Sequence, residues 1–266
     1  MTTEDLQTFL GWAREEGWNP GSDDAAAFLA ADPQGFFVGE VDNALVAAVS
    51  AVNHSDAFAF LGLYLCHPAF RGQGYGYALW QHALAHAEDR VVGLDGVPDQ
   101  QDNYRKSGFA LMDQTWRYEG EISGAPDPYI KPATQDDTGW VVDLDANATG
   151  YEKPEFLAAW LTQAPSRRTL VLPNRRGFAT YRRCDVGYKV GPLVTSNVED
   201  AAALLRHIAA DVKDRLMIDV PESCTTLTDF CKAQGMAPSF NTARMYRGPA
   251  PLPGSTCYAV ATLELG

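Results

Sequence analysis

The sequence predicts an α+β fold, a mixed and mostly antiparallel β-sheet flanked by helices, built in tandem. Three observations predict it. An apolar run at Phe58–Leu65 is followed by a glycine-rich loop and then by a segment with helical spacing. Ahead of that unit stand a helix pair and an antiparallel set, and after it strand, helix and strand. Segments between residues 90 and 120 have echoes between 215 and 248. Their offset of ~125 residues is too long for a solenoid and suits a duplicated domain.

The elements follow in order. Glu4 to Glu16 carries Leu6, Phe9, Leu10 and Ala13 on one helical face, with Thr3 and Glu4 as start signals and Gly17 as the stop. Gly17-Trp18-Asn19-Pro20-Gly21 is turn-rich, and Ser22, Asp23 and Asp24 are set to cap a second helix through Leu29. Gly35 to Val52 is β-rich, and Asp42-Asn43 splits it into a hairpin. Val91 to Val97 reads as a strand, Gln100 to Ser107 as a short helix ending at Gly108, and Phe109 to Tyr118 as a further strand. Residues 122–132 hold three prolines and a glycine and form a linker, so the domains are 1–125 and 126–266.

Composition bounds the function. The length of 266 residues favours two domains, and the net charge of −13 repels phosphates, which argues against nucleic acid. That charge suits a cationic small substrate such as an amine. No long apolar run and no basic leader are present, so neither a membrane span nor an export signal is expected. Cys66, Cys184, Cys224, Cys231 and Cys257 form an odd set without metal-ligand spacing. They read as reduced thiols in a cytoplasmic protein with no metal site.

The chemistry concentrates after Pro68. In Arg71-Gly72-Gln73-Gly74-Tyr75-Gly76 the alternating glycines let successive N–H groups face one point at the positive end of the following helix. Arg71 adds a charge suited to phosphate oxygens, and a diphosphate fits the loop. A P-loop requires Lys and then Ser or Thr after its last glycine, but Tyr77 and Ala78 follow Gly76. A dinucleotide loop requires Gly-x-Gly-x-x-Gly, which is also absent here.

The signature Q/R-x-x-G-x-G/A, filled by Arg71, Gly74 and Gly76 behind an apolar strand and Pro68, resembles that of the GNAT acetyltransferase superfamily. The order of elements is similar too, although the family's usual first strand has no counterpart ahead of Glu4. Gly-Trp-Asn-Pro-Gly at 17–21, Gly-Leu-Asp-Gly-Val at 93–97 and Asn-Tyr-x-x-Ser-Gly-Phe at 103–109 resemble a bacterial subgroup with a second, divergent GNAT-like C-terminal domain.

The resemblance implies acetyl-coenzyme A as donor. Its pyrophosphate would lie on Arg71, Gly72, Gln73, Gly74, Tyr75 and Gly76, and its pantetheine arm would pair with the backbone of Leu63 and Leu65 like an added strand. Tyr104 would protonate the leaving sulfur, as its ordinary pKa of about 10 permits. Where the family often has an asparagine this chain has Val97, which leaves Asn103 or Gln101 to contact the cofactor. A small primary amine would attack the thioester directly, because Cys66 lies nearby without a His-Asp pair to support a covalent route.

In the second copy Ser196-Asn197-Val198-Glu199-Asp200-Ala201 replaces the loop. It has no glycine, and its two carboxylates are expected to cap the helix Asn197 to Val212 where phosphate should bind. Cys231 stands at the Tyr104 position. Chemistry is therefore assigned to the first copy. The second serves as scaffold, intrachain pseudo-dimer partner or acceptor wall, in a monomer or homodimer.

For the general base Asp95, His54, His67 and a water chain stay open, although the echo of Asp95 in Asp219 favours a structural role there. Trp18 beside Asp24, with Asp95, suits a cationic acceptor through cation–π and ion-pair contacts. The alternative function is a non-catalytic acyl-coenzyme A sensor.

Overall fold

The computed structural model describes residues 1–254 and 256–266. Helix α1 (Thr3–Glu15) is capped by Thr2 rather than Thr3. Its Oγ1 accepts from the Asp5 N–H at 3.2 Å while the Asp5 carboxylate accepts from the Thr2 N–H at 2.8 Å. Helix α2 (Asp24–Ala31) lacks the expected side-chain cap. Asp23 is committed elsewhere, accepting from the N–H and hydroxyl of Ser166 at 2.8 and 2.6 Å.

Strands β1 (Phe36–Val41) and β2 (Ala44–Asn53) form the expected hairpin. Asp42 and Asn43 turn it at φ of 51° and 64°, positive values that this tight turn requires and these two residue types tolerate. Then come β3 (Phe58–Cys66), α3 (Tyr75–His86), β4 (Val91–Gly96), α4 (Gln101–Lys106) and β5 (Ala110–Gly120). The second half runs β6 (Lys131–Pro132), α5 (Thr138–Thr149), α6 (Pro154–Leu161), β7 (Arg167–Val171), β8 (Gly177–Arg183) and β9 (Tyr188–Thr195). It continues through α7 (Val198–Val212), β10 (Leu216–Pro221), α8 (Thr225–Ala233), β11 (Ala237–Arg247) and β12 (Cys257–Ala259).

All strands join one mixed sheet in the order β1-β2-β3-β4-β11-β5-β10-β9-β8-β7-β6, with β12 on β9. The halves exchange their last long strand. β11 lies between β4 and β5, and β5 in turn pairs with β10. Asp95 sits opposite Arg244, and Asp219 opposite Arg117. The counterpart of Arg117 is thus Arg244. Register shifts along β11, at 238/240 and 244/245, slide similar side chains past one another.

The 122–132 linker is pinned. Ile122 and Ile130 are buried, and the Asp127 N–H donates to His207 Nδ1 at 3.0 Å. A Cβ on Gly124 would stand 2.6 Å from the Ala210 backbone.

Alternation along β3 sets two packing layers. Ala59 and Leu61 meet Trp80, Ala83 and Leu84 of α3, while Phe58 and Phe60 face Tyr151 and Tyr246. On that second side the helix pairs of the two halves meet, Phe28 of α2 stacking on Trp160 of α6 with centroids 6.1 Å apart. Among the described residues no helix is long and apolar enough to cross a membrane. Cys66, Cys184 and Cys231 carry free thiols. The Cys257 side chain lies outside the described part.

Candidate active site

The parallel strands β3 and β4 pair from Phe58↔Val91 to Leu61↔Leu94 and then splay apart. A bulge in β3 begins at this point. Against β2 the register runs Ser50↔Gly62 and then Ala48↔Leu65, so β3 carries one residue too many. The extra residue is absorbed by Leu63 at φ 46°, a left-handed conformation costly for a branched side chain and characteristic of built sites. The gap holds a cleft that opens to solvent. Gly62, Leu63 and Tyr64 line it from β3, Asp95 from β4, Tyr104 from α4 and Arg117 from β5.

The glycine loop stands outside this cleft, ahead of α3. Gly72 and Gly74 take φ of 75° and 89°, and an added Cβ at either would meet no atom within 4 Å. Both the conformation and the open space above it suit an anion against backbone N–H groups at a helix start. Arg71 spans the loop base, its Nε donating to the Cys66 carbonyl at 2.9 Å and its guanidinium pairing with Glu16. Gln73 donates to the Ala69 carbonyl at 3.0 Å, and Tyr75 is exposed. Tyr64 connects loop and cleft. Its ring lines the cleft, and its hydroxyl lies 2.9 Å from where a Gly76 Cβ would project. Leucine and tyrosine on a strand carry no sequence signal for either the bulge or this bridge.

Tyr104 is 7% exposed and stacks on Trp80 with centroids 5.1 Å apart. A Cβ on Gly96 would meet its ring at 2.9 Å, so the glycine makes room for the tyrosine. Burial, and then the neighbouring Tyr64, push the Tyr104 hydroxyl above its ordinary pKa and keep it a proton donor. Asn103 points away, donating to Gln100 Oε1 at 3.0 Å, and it is Gln100 that lines the cleft. Gln101 donates to the Gly96 carbonyl at 3.3 Å. Leu65 is buried beyond the cleft's edge.

Of the three acceptor-side residues, Trp18 and Asp95 reach the cleft and Asp24 does not. Asp24 is buried against Arg182 at 3.2 Å, in the layer between α2 and β8. Asp95 is wholly buried, and both its oxygens are taken by Arg244 at 3.0 and 2.7 Å. Burial raises its pKa, against the pull of Arg244.

His54 is no better placed as a base. Its Nε2 lies 2.7 Å from the Leu265 carbonyl, and burial lowers its pKa to about 3. His67 accepts from the Ala69 N–H at 3.3 Å and packs on Trp12. Burial also pushes the Cys66 thiol up, against Arg71 and the Gly76 N–H, so it is no ready nucleophile. One more carboxylate, Glu264, lines the cleft at 6% exposure, and no motif in the sequence marks it. Among the described residues no His, Cys, Asp and Glu cluster suits a metal.

The second half repeats the splay and fills it. β9 and β10 pair in parallel only as far as Val190↔Ile218. Beyond that β12 pairs with β9, and the Val260 N–H donates to the Asp219 carbonyl at 3.0 Å. At the start of α7 the cap is Asn197, not a carboxylate. Its side chain accepts from the Asp200 N–H at 2.8 Å, and buried Asp200 turns to Arg176 at 3.3 Å. Cys231 occupies the Tyr104 place, the Met236 N–H bonding its carbonyl as the Phe109 N–H bonds that of Tyr104.

Residues 3–109 match the Acetyltransferase (GNAT) family, and residues 141–259 match the Acetyltransferase (GNAT) domain. Over 272 aligned residues the chain is 35% identical to the holothin acyltransferase of Pseudoalteromonas sp. (strain SANK 73390), covering 99% of this chain and 92% of that protein. A Pyrococcus horikoshii protein of known crystal structure superposes with a TM-score of 0.86 at 20% identity, over 100% of this chain and 94% of the other. A tandem GNAT protein from the clavulanic acid biosynthesis pathway superposes with a TM-score of 0.60 at 15% identity, over 94% and 98%. A whole-length relative and two matched halves agree with the splayed strands: this chain is a tandem member of the GNAT acetyltransferase family, whose acyltransferases generally use acyl-coenzyme A donors.

Proposed function

We propose that this protein is a cytoplasmic N-acetyltransferase that moves the acetyl group of acetyl-coenzyme A onto a primary amine of a small acceptor, by direct attack in a ternary complex. The observation that carries this reading is the β3–β4 splay, open and walled by Tyr104 in the first half while its counterpart is filled by β12. We assign the chemistry to residues 1–125 and a scaffolding role to 126–266. Acetyl-coenzyme A supplies an activated thioester.

The chain's own residues divide the work. Backbone N–H groups of 71–76 and the Arg71 guanidinium hold the pyrophosphate. The backbone at Leu63 and Leu65 receives the pantetheine arm as an added strand and fixes it beside Tyr104. Tyr104 gives its proton to the departing sulfur. Trp18 and Phe240 present aromatic surface on the acceptor side. A cleft set between two splayed strands supports a small acceptor over a protein chain, and the name of the holothin acyltransferase supports testing holothin as that acceptor. The raised Cys66 thiol supports direct attack over an acyl-enzyme.

The test is a panel of amines, including holothin, polyamines, amino sugars and amino acids, assayed for free thiol release from acetyl-coenzyme A. Release with at least one amine, abolished by Arg71→Glu, is expected. Bound coenzyme A without release from any amine would favour the sensor.

A further inference from the structure

The last residues form a tight buried turn against the first half's splay. The Leu265 N–H donates to Thr262 Oγ1 at 2.9 Å, and the Gly266 N–H to the Thr262 carbonyl at 3.0 Å. Three contacts pin the turn from outside. His54 holds the Leu265 carbonyl at 2.7 Å, and Lys153 donates to the Gly266 carbonyl at 2.8 Å. The Glu264 backbone packs on Gly62, whose missing Cβ would stand 2.8 Å from the Glu264 carbonyl carbon. The turn thereby delivers the Glu264 side chain to the cleft that Tyr104 lines from another wall.

Two carboxylates line this cleft, and they differ in one respect. Asp95 has both oxygens bonded to Arg244 and a further contact from Thr242 Oγ1 at 3.3 Å. Glu264 makes no hydrogen bond and no ion pair with any described residue, although it is 6% exposed. Its oxygens are not sealed from the solvent as those of Asp145 are, so they are available to a molecule in the cleft.

The charges around it are otherwise occupied. Arg117 is held by Asp219, Arg182 by Asp24, and Lys189 donates to the Trp18 carbonyl at 2.8 Å. Each is committed to another partner, which leaves the Glu264 oxygens open to the cleft. Tyr64 and Tyr104 are the other titratable groups facing it there.

We propose that Glu264 is the general base, a role that rests on the acetyl-transfer reading above. The amine nitrogen forms a bond to the thioester carbonyl carbon while its proton passes to the Glu264 carboxylate. The carbon–sulfur bond then breaks, the sulfur takes the Tyr104 proton, and N-acetyl product and free thiol leave. Glu264 ends one proton richer and Tyr104 one poorer, and exchange with solvent resets both. The first half thus draws its base from the turn that follows β12.

The test uses the full chain with acetyl-coenzyme A and benzylamine, tyramine, glucosamine and spermidine as acceptors, following free thiol from pH 6 to 9. Glu264→Gln is expected to lower turnover about 10²- to 10⁴-fold at neutral pH, with the loss narrowing as the pH rises and free amine accumulates. Coenzyme A affinity stays within about threefold, since the loop holds the donor. Glu264→Asp keeps part of the activity, and added formate partly rescues Glu264→Ala. Wild-type turnover that survives Glu264→Gln with an unchanged pH profile overturns the role and leaves acetyl transfer standing. Equal losses in the Gln and Asp variants without formate rescue make Glu264 structural and also overturn it. Absence of thiol release from the wild type overturns the acetyl-transfer reading and this role with it.

Discussion

Arg244 of β11 donates two hydrogen bonds to Asp95 of β4, at 3.0 and 2.7 Å, and Arg117 of β5 repeats the arrangement on Asp219 of β10 at 2.7 and 2.9 Å. Each pair joins a strand of one half to a strand of the other, and all four side chains are at most 10% exposed. A slip of one residue would turn each arginine to the opposite face, so the pairs fix the register of the exchanged strands.

Arg244→Met should therefore cost about 3–5 kcal/mol, the range for stranding one member of a buried ion pair. The deficit depends on pH. Burial already raises the Asp95 pKa against Arg244. Without the arginine the folded variant retains a proton that the unfolded chain, with its aspartate near 3.9, has lost. Stability then falls as pH rises through that window, and urea unfolding should show a smaller deficit at pH 5 than at pH 8. Equal deficits would mean that Asp95 is not the group left stranded.

Tyr104→Phe retains the ring stacked on Trp80 and removes only the hydroxyl. Thiol release should drop about 10²-fold or more, with coenzyme A affinity unchanged by calorimetry. Because the Tyr104 pKa lies above its ordinary value, the wild type should show no alkaline loss of activity near pH 10. Full turnover in the variant would remove the hydroxyl from the mechanism.

Much of this was legible in the sequence, for reasons that lie in local chemistry. Alternating glycines after an apolar run dictate the loop conformation whatever the tertiary context, and Asp42-Asn43 dictates its turn. The repeat exposed the duplication because Asp95 and Asp219 kept their partners' geometry. The strand exchange was hidden, since alternation along β5 and β11 does not specify which strands lie beside them. Glu264 was hidden for a related reason. Nothing in Thr262-Leu263-Glu264-Leu265-Gly266 announces a site, and only the long-range contacts to Gly62, His54 and Lys153 carry it to the cleft. Asp24 misled because an acid beside Trp18 in sequence points the other way in space, into Arg182.

His54 makes a pH prediction of its own. Its folded pKa of about 3 lies below the ordinary 6.5, so the unfolded chain binds a proton that the folded chain refuses. The stability this group confers is complete above pH 6.5 and is lost progressively as the pH falls toward 3. His54→Gln removes the titration while offering a donor to the Leu265 carbonyl. Urea midpoints of the variant should fall less steeply than those of the wild type between pH 6.5 and 4, and parallel curves would place the acid sensitivity elsewhere.

The glycines separate the tail from the loop. A methyl at Gly62 drives into the Glu264 backbone, and one at Gly191 drives into the carbonyl oxygen of Val260, neither of which can rotate away. Each substitution should cost about 1–3 kcal/mol through overpacking. Gly62→Ala should also depress thiol release, because it displaces the turn that carries Glu264, while Gly191→Ala spares coenzyme A affinity. Gly72→Ala meets no atom but must hold φ near 75°, a strain of about 1 kcal/mol that falls on the loop. Its signature is the reverse, weakened coenzyme A binding with little change in melting temperature. Thermal melts and calorimetric titrations of the three variants should divide in this way. A Gly62→Ala protein that melts and turns over like the wild type would show that the tail does not rest on β3.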